Sequence, residues 1–147
     1  TAIVGRALDF PVINLGFSGS GRMEPAMVDL LAELDPSVYV LDCLPNMTPV
    51  MVTERLEPFV RKLRASHPDT PILLAEDPSV RNVTPTEKGR IARAVHEKLT
   101  KEGMKRLFFL PNGGMLGTDF EGTGDGVHPN DLGMMRQGEV QHAGIKY

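Results

Sequence analysis

Short apolar runs punctuate the chain at Pro11–Leu15 (PVINL), Val38–Cys43 (VYVLDC), Ile72–Ala75 (ILLA) and Leu107–Leu110 (LFFL). Each is too short for a stable helix and mostly continuous rather than alternating, which is the pattern of strands covered on both faces in a parallel sheet. The segments between them carry a helical period. In Pro25–Leu34, Met27, Leu30, Leu31 and Leu34 share a face, and Pro25 suits a first helical position, where the missing N–H costs nothing. About Val52–Ala65, Leu56, Val60 and Leu63 recur at helical spacing, with Pro58 expected to kink that helix or to sit in its first turn. Thr84-Pro85-Thr86-Glu87 reads as a capping box, with Thr84 as cap and Glu87 as its reciprocal acceptor, ahead of Ile91, Val95 and Leu99. Strands alternating with helices predict an α/β layer architecture with right-handed crossovers. The longest irregular stretch, Gly-rich Pro111–Gly124, is of a length more often functional than accidental inside a compact domain.

Composition narrows the function classes. A chain of 147 residues is one domain's worth, taken here as a single domain over residues 1–147. It is 41% hydrophobic and 24% charged, and no apolar run approaches the roughly eighteen residues of a bilayer span, so a soluble globular protein without a membrane segment is expected. Sixteen Lys and Arg against nineteen Asp and Glu, with the signs interspersed, leave a net charge of −3 and no footprint for a nucleic acid or an anionic membrane. The lone Cys43 excludes an intrachain disulfide framework and a Cys-rich zinc site, and it suits the cytosol, the periplasm and secretion alike. Localisation stays open. The chain opens on Thr1 with nothing resembling a signal peptide, which reads as something having been removed before it.

Open α/β sheets bind ligands outside the carboxyl ends of their strands, so the candidate chemistry lies in the segments that follow the apolar runs. Asp125-Gly126-Val127-His128-Pro129 sets a carboxylate three residues before an imidazole. A hydrolase needs an imidazole to accept the nucleophile's proton and a carboxylate to fix its tautomer, and His128 and Asp125 fit these roles; a surface Asp-Gly turn followed by an exposed histidine fits the same residues. Gly16-Phe17-Ser18-Gly19-Ser20-Gly21 is open to four readings: a nucleophile turn, an oxyanion hole, a phosphate cradle or a plain glycine turn. It matches neither Gly-x-Gly-x-x-Gly nor the Gly-x-Ser-x-Gly elbow. Asn46 offers a side-chain amide to a developing oxyanion, or a cap to the following helix. Glu76-Asp77-Pro78-Ser79 completes the set. Cys43 reads as a buried small hydrophobe, and His67 and His96 as structural or surface histidines. Asp119, Asp125, His128 and Asp131 lack any recognised metal-ligand spacing, so no metal is expected.

With these residues assembled, the chain resembles the GDSL-like, or SGNH, hydrolases, especially a branch of acylhydrolases and esterases. Asn14-Leu15-Gly16-Phe17-Ser18-Gly19 is similar to the family's second sequence block, Leu41-Asp42-Cys43-Leu44-Pro45-Asn46 to the third, and Asp125 through Gly133 to the fifth. The resemblance implies a three-layer α/β/α sandwich around a parallel, flavodoxin-like sheet, with oxyanion-hole donors at Gly19 and Asn46, His128 as catalytic base and Asp125 as its orienting carboxylate. It implies no cofactor. The third block departs from the usual Gly-x-Asn-Asp, since Pro45 and Met47 flank the asparagine here. The nucleophilic serine of the first block has no counterpart, because Thr1–Leu8 resembles the helix that follows it. The nucleophile and the first strand are therefore expected upstream of residue 1, with Ser18 the alternative nucleophile. Without that strand, the backbone groups of Pro11–Leu15 and Val38–Cys43 would face an empty lane, expected to be filled by another chain or by rearrangement.

The expected activity is that of a serine ester hydrolase on a small-molecule or carbohydrate ester, including carbohydrate acetyl esters, with the acyl group unspecified. The alternatives are a non-catalytic flavodoxin-like binding module and an inactive fragment, to which the poorly matching tail Gln137–Tyr147 is pertinent.

Overall fold

Three of the four apolar runs form strands in the computed structural model, which describes residues 1–78 and 85–145. β1 (Tyr39–Leu41), β2 (Ile72–Ala75) and β3 (Leu107–Leu110) make a parallel sheet in the order β1-β2-β3. Tyr39 lies opposite Ile72, and Ile72 opposite Leu107. All four residues of the central β2 are buried, so both of its faces are covered, as its unbroken apolar run predicts. Pro11–Leu15, expected as a strand, is irregular and exposed. A strand is stable only where a neighbour takes up its N–H and C=O groups, and among the described residues none of the three strands pairs with this segment.

Two compact units make up the described chain. One is built from Phe17–Asp77 and Thr86–Leu110 and holds the sheet. Its helices are α2 (Pro25–Leu31), α3 (Pro49–Ser66) and α4 (Glu87–Lys101). α3 packs against both α2 and α4, and α4 against β3. The inward stripe of α3 is Val52, Leu56, Phe59, Val60 and Leu63, the spacing of one helical face. These residues join Leu44, Leu41, Ile72, Leu74 and Leu99 in one core. α3 starts earlier than its apolar spacing predicts, because Pro49 takes the first helical position and the Thr48 hydroxyl accepts from Met51 N at 3.3 Å. Pro58 consequently falls in the helix interior, outside the first turn. α4 starts later than predicted. Its cap is Thr86, whose hydroxyl accepts from Gly89 N at 3.0 Å; Thr84, the expected cap, and Ser79 lie outside the described residues. His67 and His96 are structural, their Nε2 atoms lying 3.0 Å from the Ala32 carbonyl and 3.1 Å from the Leu107 carbonyl. Arg64 donates to the carbonyls of His67, Pro68, Thr70 and Arg106, tying the end of α3 to the segments entering β2 and β3.

The other unit is built from Thr1–Gly16 and the chain beyond Leu110, where α1 (Ala2–Leu8) packs on α5 (Asp131–Ile145). The contact is close because α5 presents Gly138, where a Cβ would lie 2.8 Å from Ile3 Cγ2. Asn130 caps α5: its Oδ1 accepts from Gly133 N at 3.0 Å while its Nδ2 donates to the Glu121 carbonyl at 2.7 Å. Arg136 then holds the Gly-rich loop with a bidentate pair to Asp119 at 2.7 and 2.6 Å and a further bond to the Leu116 carbonyl at 3.0 Å. Among the described residues no helix is long and apolar enough to cross a membrane.

Candidate active site

Asp125 and His128 sit on a tight loop closed by an antiparallel bridge between Thr123 and Pro129. The loop folds this way for local reasons. Thr123 Oγ1 accepts from Gly126 N at 3.0 Å, a hydroxyl turn that swings the chain back, and Gly126 supplies the positive φ of 89° that the reversal requires. One oxygen of Asp125, Oδ1, accepts from Val127 N at 2.9 Å and His128 N at 2.8 Å, which orients the carboxylate before the imidazole is considered. The other oxygen, Oδ2, lies 2.6 Å from His128 Nδ1. The His128 imidazole, followed by the His128 and Val127 amides, holds the Asp125 carboxyl far below the usual carboxylate range. Asp125 is therefore an anion at any working pH. It favours a proton on Nδ1, which leaves the Nε2 lone pair outward on a side chain that is 85% exposed.

Gly19 and Asn46 belong to the sheet-containing unit. Ser18–Ser20 forms a single tight turn, entered by Ser18 at a positive φ of 53°. Gly19 is exposed, with nothing within 4 Å of the position a Cβ would take, so the space above it is open. Asn46 closes the turn Leu44–Asn46 that follows β1, and its Nδ2 donates to the Ser18 carbonyl at 2.8 Å and the Gly21 carbonyl at 3.3 Å. The structure therefore brings the second and third blocks together through the asparagine amide itself. Asn46 is not the helix cap, since Thr48 takes that place. Arg22 Nε donates to the Gly19 carbonyl at 2.7 Å and Arg55 Nη1 to the Arg22 carbonyl at 2.9 Å, so the glycine turn is buttressed by two guanidinium groups.

Cys43 is an inert thiol, pushed up to about 11 by burial first and then by the Asp42 and Glu24 carboxylates. Asp119, weighed as a metal ligand, has its carboxylate taken by Arg136. Sequence reasoning passed over Thr123, Asn130 and Lys88. Thr123 was detectable, because a hydroxyl two residues before an Asp-Gly pair is a turn signal, and so was Asn130, an asparagine at a helix start that caps a donor three residues on; the role of Lys88 depends on partners remote in sequence.

A parallel α/β sheet with an asparagine in the turn after β1, a glycine turn bonded to it and a carboxylate-imidazole pair ahead of α5 place the chain in the α/β class. The chain belongs to the GDSL-like Lipase/Acylhydrolase family, whose family model matches residues 1–146. It is similar to the crystal structure of a protein from Bacteroides ovatus ATCC 8483 classed as a GDSL-like lipase, with 37% identity and a TM-score of 0.86 over 95% of this chain and 44% of that one. It is also similar in fold to a salicylyl-acyltransferase from a tetracycline biosynthetic pathway, with 21% identity and a TM-score of 0.80 over 99% of this chain and 47% of that one. The chain thus spans under half the length of either structure. No curated protein sequence matches it.

Proposed function

We propose that this protein hydrolyses acyl esters with His128 as general base, Asp125 as its orienting carboxylate, and Gly19 and Asn46 as oxyanion donors. The observation that carries the reading is the 2.6 Å contact between Asp125 Oδ2 and His128 Nδ1, in a loop whose backbone fixes the carboxylate and whose Nε2 faces water. In this reading Nε2 takes the proton of a serine hydroxyl as that oxygen attacks the ester carbonyl, the imidazolium forms beside the Asp125 anion, and the proton then passes to the departing alkoxide. Asn46 Nδ2 has two protons, and the 3.3 Å bond to Gly21 is the weaker of its two bonds. That proton is the one exchanged for an oxyanion, while the bond to Ser18 keeps the amide in place. No cofactor takes part. Small-molecule and carbohydrate esters, acetyl esters among them, suit a base this open to solvent.

A fluorophosphonate probe followed by mapping of the labelled peptide identifies the serine, and hydrolysis of p-nitrophenyl acetate measures turnover. His128→Ala is expected to lower kcat/KM by about 10²–10⁴-fold and to slow labelling in parallel. An unchanged rate in this variant removes His128 from the mechanism, and absence of both labelling and turnover in the native protein favours a binding module.

A further inference from the structure

Two consecutive carboxylates after β2, Glu76 and Asp77, are buried, and no step above uses them. The start of α4 is built around this pair. At Gly89 a Cβ would collide with Glu76 Oε1, so a glycine is what lets the helix lie over that carboxylate. One residue earlier, Lys88 Nζ meets Asp77 Oδ2 at 2.7 Å, with side-chain exposures of only 18% and 11%. The same ammonium donates to the Leu44 carbonyl at 2.9 Å and the Pro45 carbonyl at 3.4 Å. All three donors of the lysine are thereby directed, one to a carboxylate and two to the carbonyls immediately preceding Asn46. From Asn46 the connection continues to the Ser18 and Gly21 carbonyls.

We propose that Lys88 is a positioning residue that clamps the Leu44–Asn46 turn to α4 and so fixes where the Asn46 amide is presented, with Asp77 holding the ammonium in place. This rests on the oxyanion role proposed for Asn46. An oxyanion donor contributes to the extent that it is oriented before charge develops; burial of Leu44 anchors the start of this turn, and the lysine bonds the two carbonyls that lead from it to Asn46. Helix α4 reaches the turn only through this side chain among the bonds described for it.

The test separates clamping from charge balance. Lys88→Met alone leaves Asp77 as a buried unpaired anion, so the informative variant is Asp77→Asn with Lys88→Met, which removes both charges and keeps the volume. In ¹⁵N-labelled protein the Asn46 side-chain amide protons are expected to exchange about tenfold faster in the double variant than in the native chain, the loss of roughly one net hydrogen bond's restraint. Turnover of p-nitrophenyl acetate is expected to fall in kcat with KM unchanged, and Lys88→Arg, which keeps a donor for both partners, is expected to recover part of each effect. Native exchange and native kcat in the double variant would show that Lys88 only neutralises Asp77, and would overturn the proposal. If the native protein neither turns over ester nor labels, the hydrolase reading fails separately, and amide exchange alone still decides the clamp.

Discussion

Asp125 accepts all its hydrogen bonds from residues 123–128, and this is why it and His128 could be read from spacing while much else could not. The Asn46 amide finds its acceptors 25 and 28 residues away and Lys88 reaches across 44 and 43, separations no local pattern encodes. At this scale the ion pair of Asp119 with Arg136 makes a measurable prediction. The guanidinium, followed by the Glu121 amide, draws the Asp119 carboxyl down from 3.8 to about 2. A carboxyl lowered in the folded state contributes stability that is present above its unfolded value and is lost as pH falls through its folded one. The difference in melting temperature between the native chain and Asp119→Asn is therefore expected to hold steady above about pH 5 and to close towards about pH 2. A difference that persists unchanged at the acid end would mean that the asparagine disturbs the loop for reasons other than charge.

Among the elements, the helices with a strong apolar stripe were legible, and their ends less so. The stripe of α3 comes from side chains that must leave water, whereas its start depends on Thr48 and Pro49, which carry no periodic signal. Helix α5 escaped the pattern altogether because its contacts are made by absence: Gly133 and Gly138 are its buried residues, and glycines leave no stripe to read. Pro11–Leu15 erred the other way, being apolar enough for a strand but paired with no strand among the described residues. Of the two alternatives for Pro58, a kink or a place in the first turn, the second is excluded because Pro49 already occupies that turn. Pro58 is exposed in mid-helix and leaves the Glu54 carbonyl without its intrahelical donor. Pro58→Ala is expected to stabilise the fold by about 1–2 kcal/mol, less than the full helix-interior penalty of proline because the unfolded chain also gains freedom. Denaturant unfolding measures it, and a lowered midpoint would show that the proline shapes α3 in a way the core requires.

For the molecule as a whole, the conspicuous surface feature is the run of exposed apolar side chains at Phe10, Val12, Ile13 and Leu15. Large apolar side chains exposed this close together along the chain favour association. Self-association that rises with concentration is expected by sedimentation, and Ile13→Ser, at a position 63% exposed, is expected to weaken it with little change in melting temperature. Unaltered association would direct attention to the exposed Phe120, Met134 and Met135 instead. The pairing of α1 with α5 has a consequence of another kind, concerning time rather than space. During synthesis the sheet-bearing unit has all its residues by Leu110, and its core can close while the rest of the chain is still emerging. Residues 1–16, made before that unit, must wait for α5 before their own unit can close. The loop of Asp125 and His128 leads directly into that helix, so the proposed proton acceptor emerges only after the sheet-bearing unit has all its residues.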